Sequence, residues 1–170
     1  GWDVDTSIAS LEPVLRLSEA TQMDLATCSD LVTDSMSALG LTADQLTDYL
    51  NVTCQANNKS NTTAQALMEA MIGCGGAAKS AGMDYKQTAA ALGILANNGV
   101  KGAEAGTALN SMLVRMTTKD VAQKAFKELG VSIYDSSGQM RNMQDILVEL
   151  NGAMSGLTQE QKNNLSLIHI

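Results

Sequence analysis

A single proline, Pro13, interrupts 170 residues, while helix-opening signals stand near positions 24, 42, 62, 84 and 101. Proline inside a helix removes a backbone hydrogen bond and clashes with the preceding turn. Its near absence leaves almost the whole chain free to be helical, and the opening signals say where helices begin. Asp24 is placed to cap a run in which Leu25, Cys28, Val32, Ser35, Met36 and Leu39 recur at helical spacing, and Gly40 ends it. Thr42-Ala-Asp-Gln45 is a capping box, in which the hydroxyl and amide side chains satisfy free N–H groups reciprocally. Leu41 and Leu46 hold the positions of a hydrophobic staple, and Leu46, Tyr49, Leu50 and Thr53 continue the face.

Asn57-Asn-Lys-Ser-Asn61 reads as a polar loop. Thr62-Thr-Ala-Gln65 reads as a second capping box, followed by Leu67, Met68, Met71 and Ile72. Gly73-Cys-Gly-Gly76 is expected to interrupt or kink that helix, because glycine disfavours helix interiors. Asp84, with Gln87 at its third position, opens another helix, with Thr88, Leu92, Leu95 and Ala96 facing inward. Asn97-Asn-Gly99 stops it, with Gly99 expected in the left-handed conformation just past the end. From Lys101, the residues Ala105, Ala108, Leu109, Met112, Leu113 and Met116 form the clearest amphipathic stripe in the chain. A further helix is expected over 118–129.

The period then changes. Val131, Ile133 and the turn Asp135-Ser-Ser-Gly138 predict a short β-hairpin over 131–140, closing with Gln139 and Met140. A helix begins near Asn142, carries Met143, Ile146, Leu147, Leu150 and Met154, and ends at Gly156; Thr158-Gln-Glu-Gln161 opens one more. Met23-Asp24 and Met83-Asp84 share an apolar residue before a capping Asp, but the residues between do not align as a repeat. The fold class is therefore mainly α: a multi-helix array or bundle with one short hairpin near 131–140.

Aromatic residues are 3% against 45% hydrophobic overall, so the core must be built from Leu, Met, Ala, Ile and Val, with ten Met among them. Small and pliable side chains of this kind suit helix-on-helix packing. The net charge is −7, unevenly placed: residues 1–58 carry nine acids and one base, Arg16, whereas residues 59–170 carry nine acids and ten bases. The acidic part repels phosphate, so nucleic acid is not an expected partner. It presents a solvated acidic surface or faces a basic partner. Cys28, Cys54 and Cys74 lack metal-ligand spacing and fit inert thiols in a reducing compartment. No signal peptide and no apolar run of membrane-spanning length is recognised, so this segment is not expected to cross a membrane. Four matches to the N-glycosylation pattern, at Asn51, Asn58, Asn61 and Asn164, mean little without a secretory signal.

No catalytic, cofactor-binding or metal-ligating residue is assigned, no cofactor is expected and the chain is not read as an enzyme. The only histidine is His169, two residues from the end, so no Ser-His-Asp or Cys-His constellation can be built without it. Asp30 with Asp34, and Asp44 with Asp48, lie one helical turn apart opposite the apolar stripe, where a solvated face explains them. Gly73 to Ser80 nearly matches a phosphate-binding loop, but Ala78 stands where that loop wants glycine, and a capped helix rather than a buried strand precedes it. Gly99, Gly102 and Gly106 lack dinucleotide-fingerprint spacing; close packing or a tight turn accounts for them.

The run Thr88 to Leu109, a helix, an Asn-Gly stop, a Lys-Gly link and a second helix carrying Ala-Gly-Thr-Ala-Leu, resembles the conserved region of bacteriophage tail tape-measure proteins. Lys127 to Arg141 resembles the hairpin that follows in that family. Met143 to Leu147 and Ser155 to Lys162 come next in the family's order, and Asp24 to Gly40 is similar upstream. The likeness spans roughly residues 1–164. It implies a structural protein of phage or prophage tails, assembled in the bacterial host cytoplasm into the virion. Tail-length determination and tube assembly are the implied roles. Tail tube subunits, tail assembly chaperones and tail-tip proteins are the implied partners, with self-association a further option. The alternative from the residues alone is a helical adaptor or scaffold unrelated to phage tails. Family members are far longer, so residues 1–164 are expected to be the conserved helical region of a longer chain. Leu165-Ser-Leu-Ile-His-Ile170 does not continue the pattern, resembles translated adapter sequence, and is read as a non-native tail.

Overall fold

A computed structural model describes residues 3–162; His169 and the tail at 165–170 lie outside the described residues. The elements are α1 (Val4–Thr21), α2 (Leu25–Leu39), a one-turn 3₁₀ helix (Ala43–Gln45), α3 (Leu46–Lys59), α4 (Ala64–Ser80), α5 (Tyr85–Asn97), α6 (Gly102–Thr118), α7 (Asp120–Glu128) and α8 (Met143–Ser155). They fall into two compact units. Of the described residues, the first holds those up to Ser80 together with Asp84–Asn110, and the second holds Ala81–Met83 and residues 111–162.

Most opening signals act as their chemistry dictates. The Asp24 carboxylate accepts the N–H groups of Ala26 and Thr27 at 3.0 and 3.2 Å, and the Thr42 N–H donates to Gln45 Oε1 at 3.1 Å. Asp84 and Gln87 form the full reciprocal pair, and Thr158 and Gln161 form another. Asn142 caps α8 through the Gln144 N–H. Such caps each stabilise a helix end by about 1 kcal/mol.

Four expectations fail, the first being the polar loop at 57–61, since α3 runs through Asn57 and Asn58 to Lys59. The box at Thr62 and Gln65 does not form: Thr63 Oγ1 accepts the Ala66 N–H at 3.1 Å instead, and Gln65 turns to Glu69 at 2.9 Å. The cap is displaced by one residue because Asn57 Oδ1 takes the Ala64 N–H at 3.0 Å. Next, Gly73–Gly76 neither breaks nor kinks α4, which runs through them. Tertiary packing overrides propensity, since Gly75 is buried against α2 and Gly73 lies against α6. Finally, the short β-hairpin expected at 131–140 is absent: no strand occurs among the described residues, only an isolated antiparallel bridge between Tyr134 and Met140. Two backbone bonds of 2.9 Å cross the turn at that bridge, from the Asp135 N–H to the Gln139 carbonyl and from the Arg141 N–H to the Ile133 carbonyl, and helix ends bound it on both sides. The Val131 N–H closes the end of α7 on the Phe126 carbonyl at 2.9 Å, and Asn142 already caps α8. The Asp135 carboxylate gathers the N–H groups of Ser137 and Gln139 at 2.8 and 3.0 Å, so the turn is held largely by its own side chain, with a single bridge beside it.

α1 precedes the first of the helix-opening signals. Its cap is Asp3, which accepts the Thr6 N–H at 2.8 Å, and Ser10, Val14 and Leu17 are its buried residues. Pro13 lies within it.

The core of the first unit is built chiefly where α2 meets α4, the most extensive helix pairing. Val32, Met36, Leu67, Met68, Met71 and Cys74 are all essentially inaccessible there. Side chains of this size contribute roughly 1.5–3 kcal/mol each on burial. The helices approach closely because Gly75 has no side chain: a Cβ there would stand 2.7 Å from the carbonyl carbon of Ala38. α6 meets α4 in the same way, since a Cβ on Gly106 would stand 3.0 Å from the Ala70 Cα. One polar knot is sealed in. The Tyr49 hydroxyl donates to Ser35 Oγ at 2.6 Å, Ser35 donates to the Leu31 carbonyl at 2.5 Å, and the ring meets Tyr85 edge-on at 6.1 Å. Burial pushes the Tyr49 phenol up to about 12, so it stays a neutral donor.

In the second unit Leu113, Met116, Phe126, Val131, Ile133, Met143 and Ile146 are buried. Arg141 grips Glu149 through two hydrogen bonds, 2.5 and 2.9 Å, and donates to the Ser132 carbonyl at 2.8 Å, which ties the bridged turn to α8.

Candidate interaction surface

The residues that could have carried chemistry are scattered. Asp30, Asp34, Asp44 and Asp48 are all exposed. Asp48 is drawn into a clasp across α3 and α5: Lys86 Nζ lies 2.8 Å from its carboxylate, and the Tyr85 hydroxyl donates to it. The Lys86 and Tyr85 hydrogen bonds hold the Asp48 carboxyl below the ordinary aspartate range. Lys86 also lies 5.5 Å from the centre of the Tyr85 ring, a cation–π contact. Cys28 and Cys74 are buried and Cys54 is half-buried, all three as free thiols. Burial raises each thiol above its ordinary range, Cys74 to about 11, which disfavours the reactive thiolate. No group of His, Cys, Asp or Glu among the described residues could hold a metal ion.

The near match to a phosphate loop, Gly73 to Ser80, lies wholly in α4, where its N–H groups cannot wrap an anion. Lys79 serves α2 instead: its ammonium lies over Gly40, where any side chain would collide with it. A cation complements the carbonyl end of a helix.

What the described surface does offer is an apolar face on α1. Val4, Ile8, Leu11 and Leu15 are 73, 67, 52 and 37% exposed. Their 4-3-4 spacing is that of alternating seam positions in a heptad, so they line up along one side of the helix, apart from buried Ser10, Val14 and Leu17. The stripe borders a groove of about 540 Å³ between α1 and α2, which Leu11, Val14, Leu25 and Ala26 help to line. Asp5, Glu12 and Glu19, seven residues apart, run along one edge of the stripe, Asp5 and Glu12 each just after a stripe residue and Glu19 just after Ser18 at the next heptad position, and all are exposed. The sequence signal was available in the spacing of positions 4, 8, 11 and 15, but it counts for little until α1 is known to be a helix with another of its sides already buried.

Among the described residues, no helix is long and apolar enough to cross a membrane. A family model described as phage-related minor tail protein matches residues 1–167. The chain is 35% identical over 164 residues to a protein named tape measure protein of Pneumococcus phage Dp-1, covering 96% of this chain and 14% of that protein. It is 29% identical over 154 residues to a probable tape measure protein of Escherichia phage P2, covering 90% of this chain and 19% of that one. The chain thus spans less than a fifth of the length of these relatives. No solved structure matches.

Proposed function

The chain belongs to the phage-related minor tail protein family, and on that premise we propose that it is a folded, assembly-contacting region of a tail tape-measure protein. The observation that carries this is the match over nearly the whole chain, with identity to a tape measure protein across 96% of it. The family disfavours the alternative of a helical adaptor unrelated to tails. The role is structural and not enzymatic: it takes part in tail-length determination and tube assembly in the host cytoplasm, and ends in the virion tail. Residues 1–164 form the conserved region, and tail tube subunits, assembly chaperones and tail-tip proteins are its partners.

The division of labour within such a protein follows from helix geometry. A helix rises about 1.5 Å per residue, so residue count converts to length only where helices run extended. Here successive helices of 13–18 residues fold back on one another in the first unit, and α2 spends its length against α4. A region built this way offers surfaces rather than span. The test is an in-frame deletion of residues 3–162 from the phage gene, complemented in trans. Loss of assembled tails, restored by the intact gene, is expected. Normal tails from the deletion phage would overturn the proposal.

A further inference from the structure

We propose that the outward face of α1 is the docking site for an amphipathic helix of a partner protein, with an apolar seam flanked by Lys and Arg. The seam on this side is Val4, Ile8, Leu11 and Leu15, all accessible, while the buried residues of α1 leave that face free. Apolar side chains exposed at heptad spacing over this length bury well only against another helix with matching knobs and holes. The groove between α1 and α2 extends the same apolar surface sideways past Leu11 to Leu25.

Charge selects the occupant. Asp5, Glu12 and Glu19 follow the seam at every seventh residue, on one edge. In a coiled-coil pair such edge positions face the partner's edge residues and decide which partner is accepted. A basic edge opposite them is attracted. A second copy of this chain is not: in antiparallel order Asp5 would face Glu19 and Glu12 would face Glu12, and in parallel order Glu12 would meet Ser7 and Glu19 would meet Val14, neither of which carries a charge. Arg16 is the only base on α1, and its ion pair with Glu12, 2.6 Å long with both groups more than 70% exposed, is too solvated to cancel the row. The wider surroundings have the same sign, because residues 1–58 hold nine acids and Arg16 alone as a base.

This names the chemistry of a partner for the region read above as assembly-contacting and rests on that reading for its biological setting, but its test is direct binding. The probe is a synthetic three-heptad helix with Ile and Leu at the seam and Lys at both edges; its control carries Glu at the edges. Binding of each to the full 170-residue chain is measured by calorimetry at low and moderate salt. The Lys-edged helix should bind at least about tenfold more tightly than the Glu-edged one, and lose affinity as salt rises. The double variant Ile8→Glu/Leu11→Glu adds acid but removes the seam. Both positions are exposed and glutamate favours helix, so its circular dichroism should be unchanged while binding falls at least about tenfold. The double variant Asp5→Lys/Glu19→Lys should reverse the preference in favour of the Glu-edged helix.

Equal binding of the two probes, or binding of neither, would overturn the proposal. So would undiminished binding by the seam variant, which would reduce the effect to general attraction by an acidic surface. Sedimentation of the free chain as a dimer that Ile8→Glu dissociates would make a second copy the occupant and refute it as well. Preferential binding of the Lys-edged helix beside normal tails from the deletion phage would leave the docking site standing and sink only the tail-assembly reading.

Discussion

Gly75 and Gly76 are neighbours in one helix, and replacing each with alanine should move stability in opposite directions. Alanine favours a helix interior over glycine by about 1 kcal/mol, and that gain is common to both sites. The surroundings differ. Nothing lies within 4 Å of a Cβ at position 76, whereas at 75 the carbonyl carbon, oxygen and Cβ of Ala38 lie at 2.7, 2.8 and 2.9 Å. Ordinary contact begins at 3.4 Å, so Gly75→Ala must drive α2 and α4 apart by about 0.7 Å. The atoms in the way are largely backbone, so no rotamer change relieves them. Overpacking of this kind costs typically about 1–3 kcal/mol, and it falls on the most extensive helix pairing in the first unit. Because the propensity gain cancels in the comparison, the difference between the two variants isolates that cost. Urea unfolding followed by far-ultraviolet circular dichroism measures it: the midpoint should rise for Gly76→Ala and fall below wild type for Gly75→Ala, at unchanged slope. If Gly75→Ala stabilised the chain as much as Gly76→Ala, the close approach of α2 and α4 would be wrong.

Tyr49→Phe should cost on the order of 1 kcal/mol in the same assay, because it takes the donor from buried Ser35 without disturbing the ring contact with Tyr85. Gly99, at φ +92° with open space around it, is constrained by backbone alone; Gly99→Val should lower stability by about 1–2 kcal/mol and Gly99→Asn by less. The depressed Asp48 carboxyl makes the clasp with Lys86 and Tyr85 a source of acid sensitivity. A folded-state pKa below the unfolded value of about 4 gives stability that is complete above that value and is lost as pH falls through the folded one. Lys86→Met should therefore raise the midpoint of a carboxyl-carbon NMR titration of Asp48 and flatten the loss of stability in acid; an unmoved midpoint would show the contact to be absent in solution.

Local chemistry was legible wherever one side chain settles one backbone group. Asp24, Asp84, Asn142 and the Thr158–Gln161 pair open helices as their types require, and Gly99 holds its positive φ. Along α6 the stripe is buried at Ala105, Leu109, Leu113 and Met116 and half-buried at Met112, though Ala108 is exposed. Legibility ended where a partner helix decides. Glycines 73 to 76 read as a break because glycine is a poor helix former, and only the Ala38 backbone pressed against Gly75 explains why they stay helical. The pattern of Val131 and Ile133 reads as a strand, yet pairing goes no further than the two backbone bonds of the Tyr134–Met140 bridge, because the Val131 N–H is taken by the end of α7. The α1 face was written in the spacing of Val4, Ile8, Leu11 and Leu15, but an apolar stripe tells nothing of whether the chain itself covers it.

Tail length, measured by electron microscopy on phage carrying Gly75→Ala in the complete gene, tests the central claim most directly. The substitution disturbs the fold of this region without changing residue count. Fewer assembled tails, with those that form at wild-type length, is the predicted result. Full yields of tails with uniformly altered length would contradict the proposal, because they would make this folded region part of the ruler.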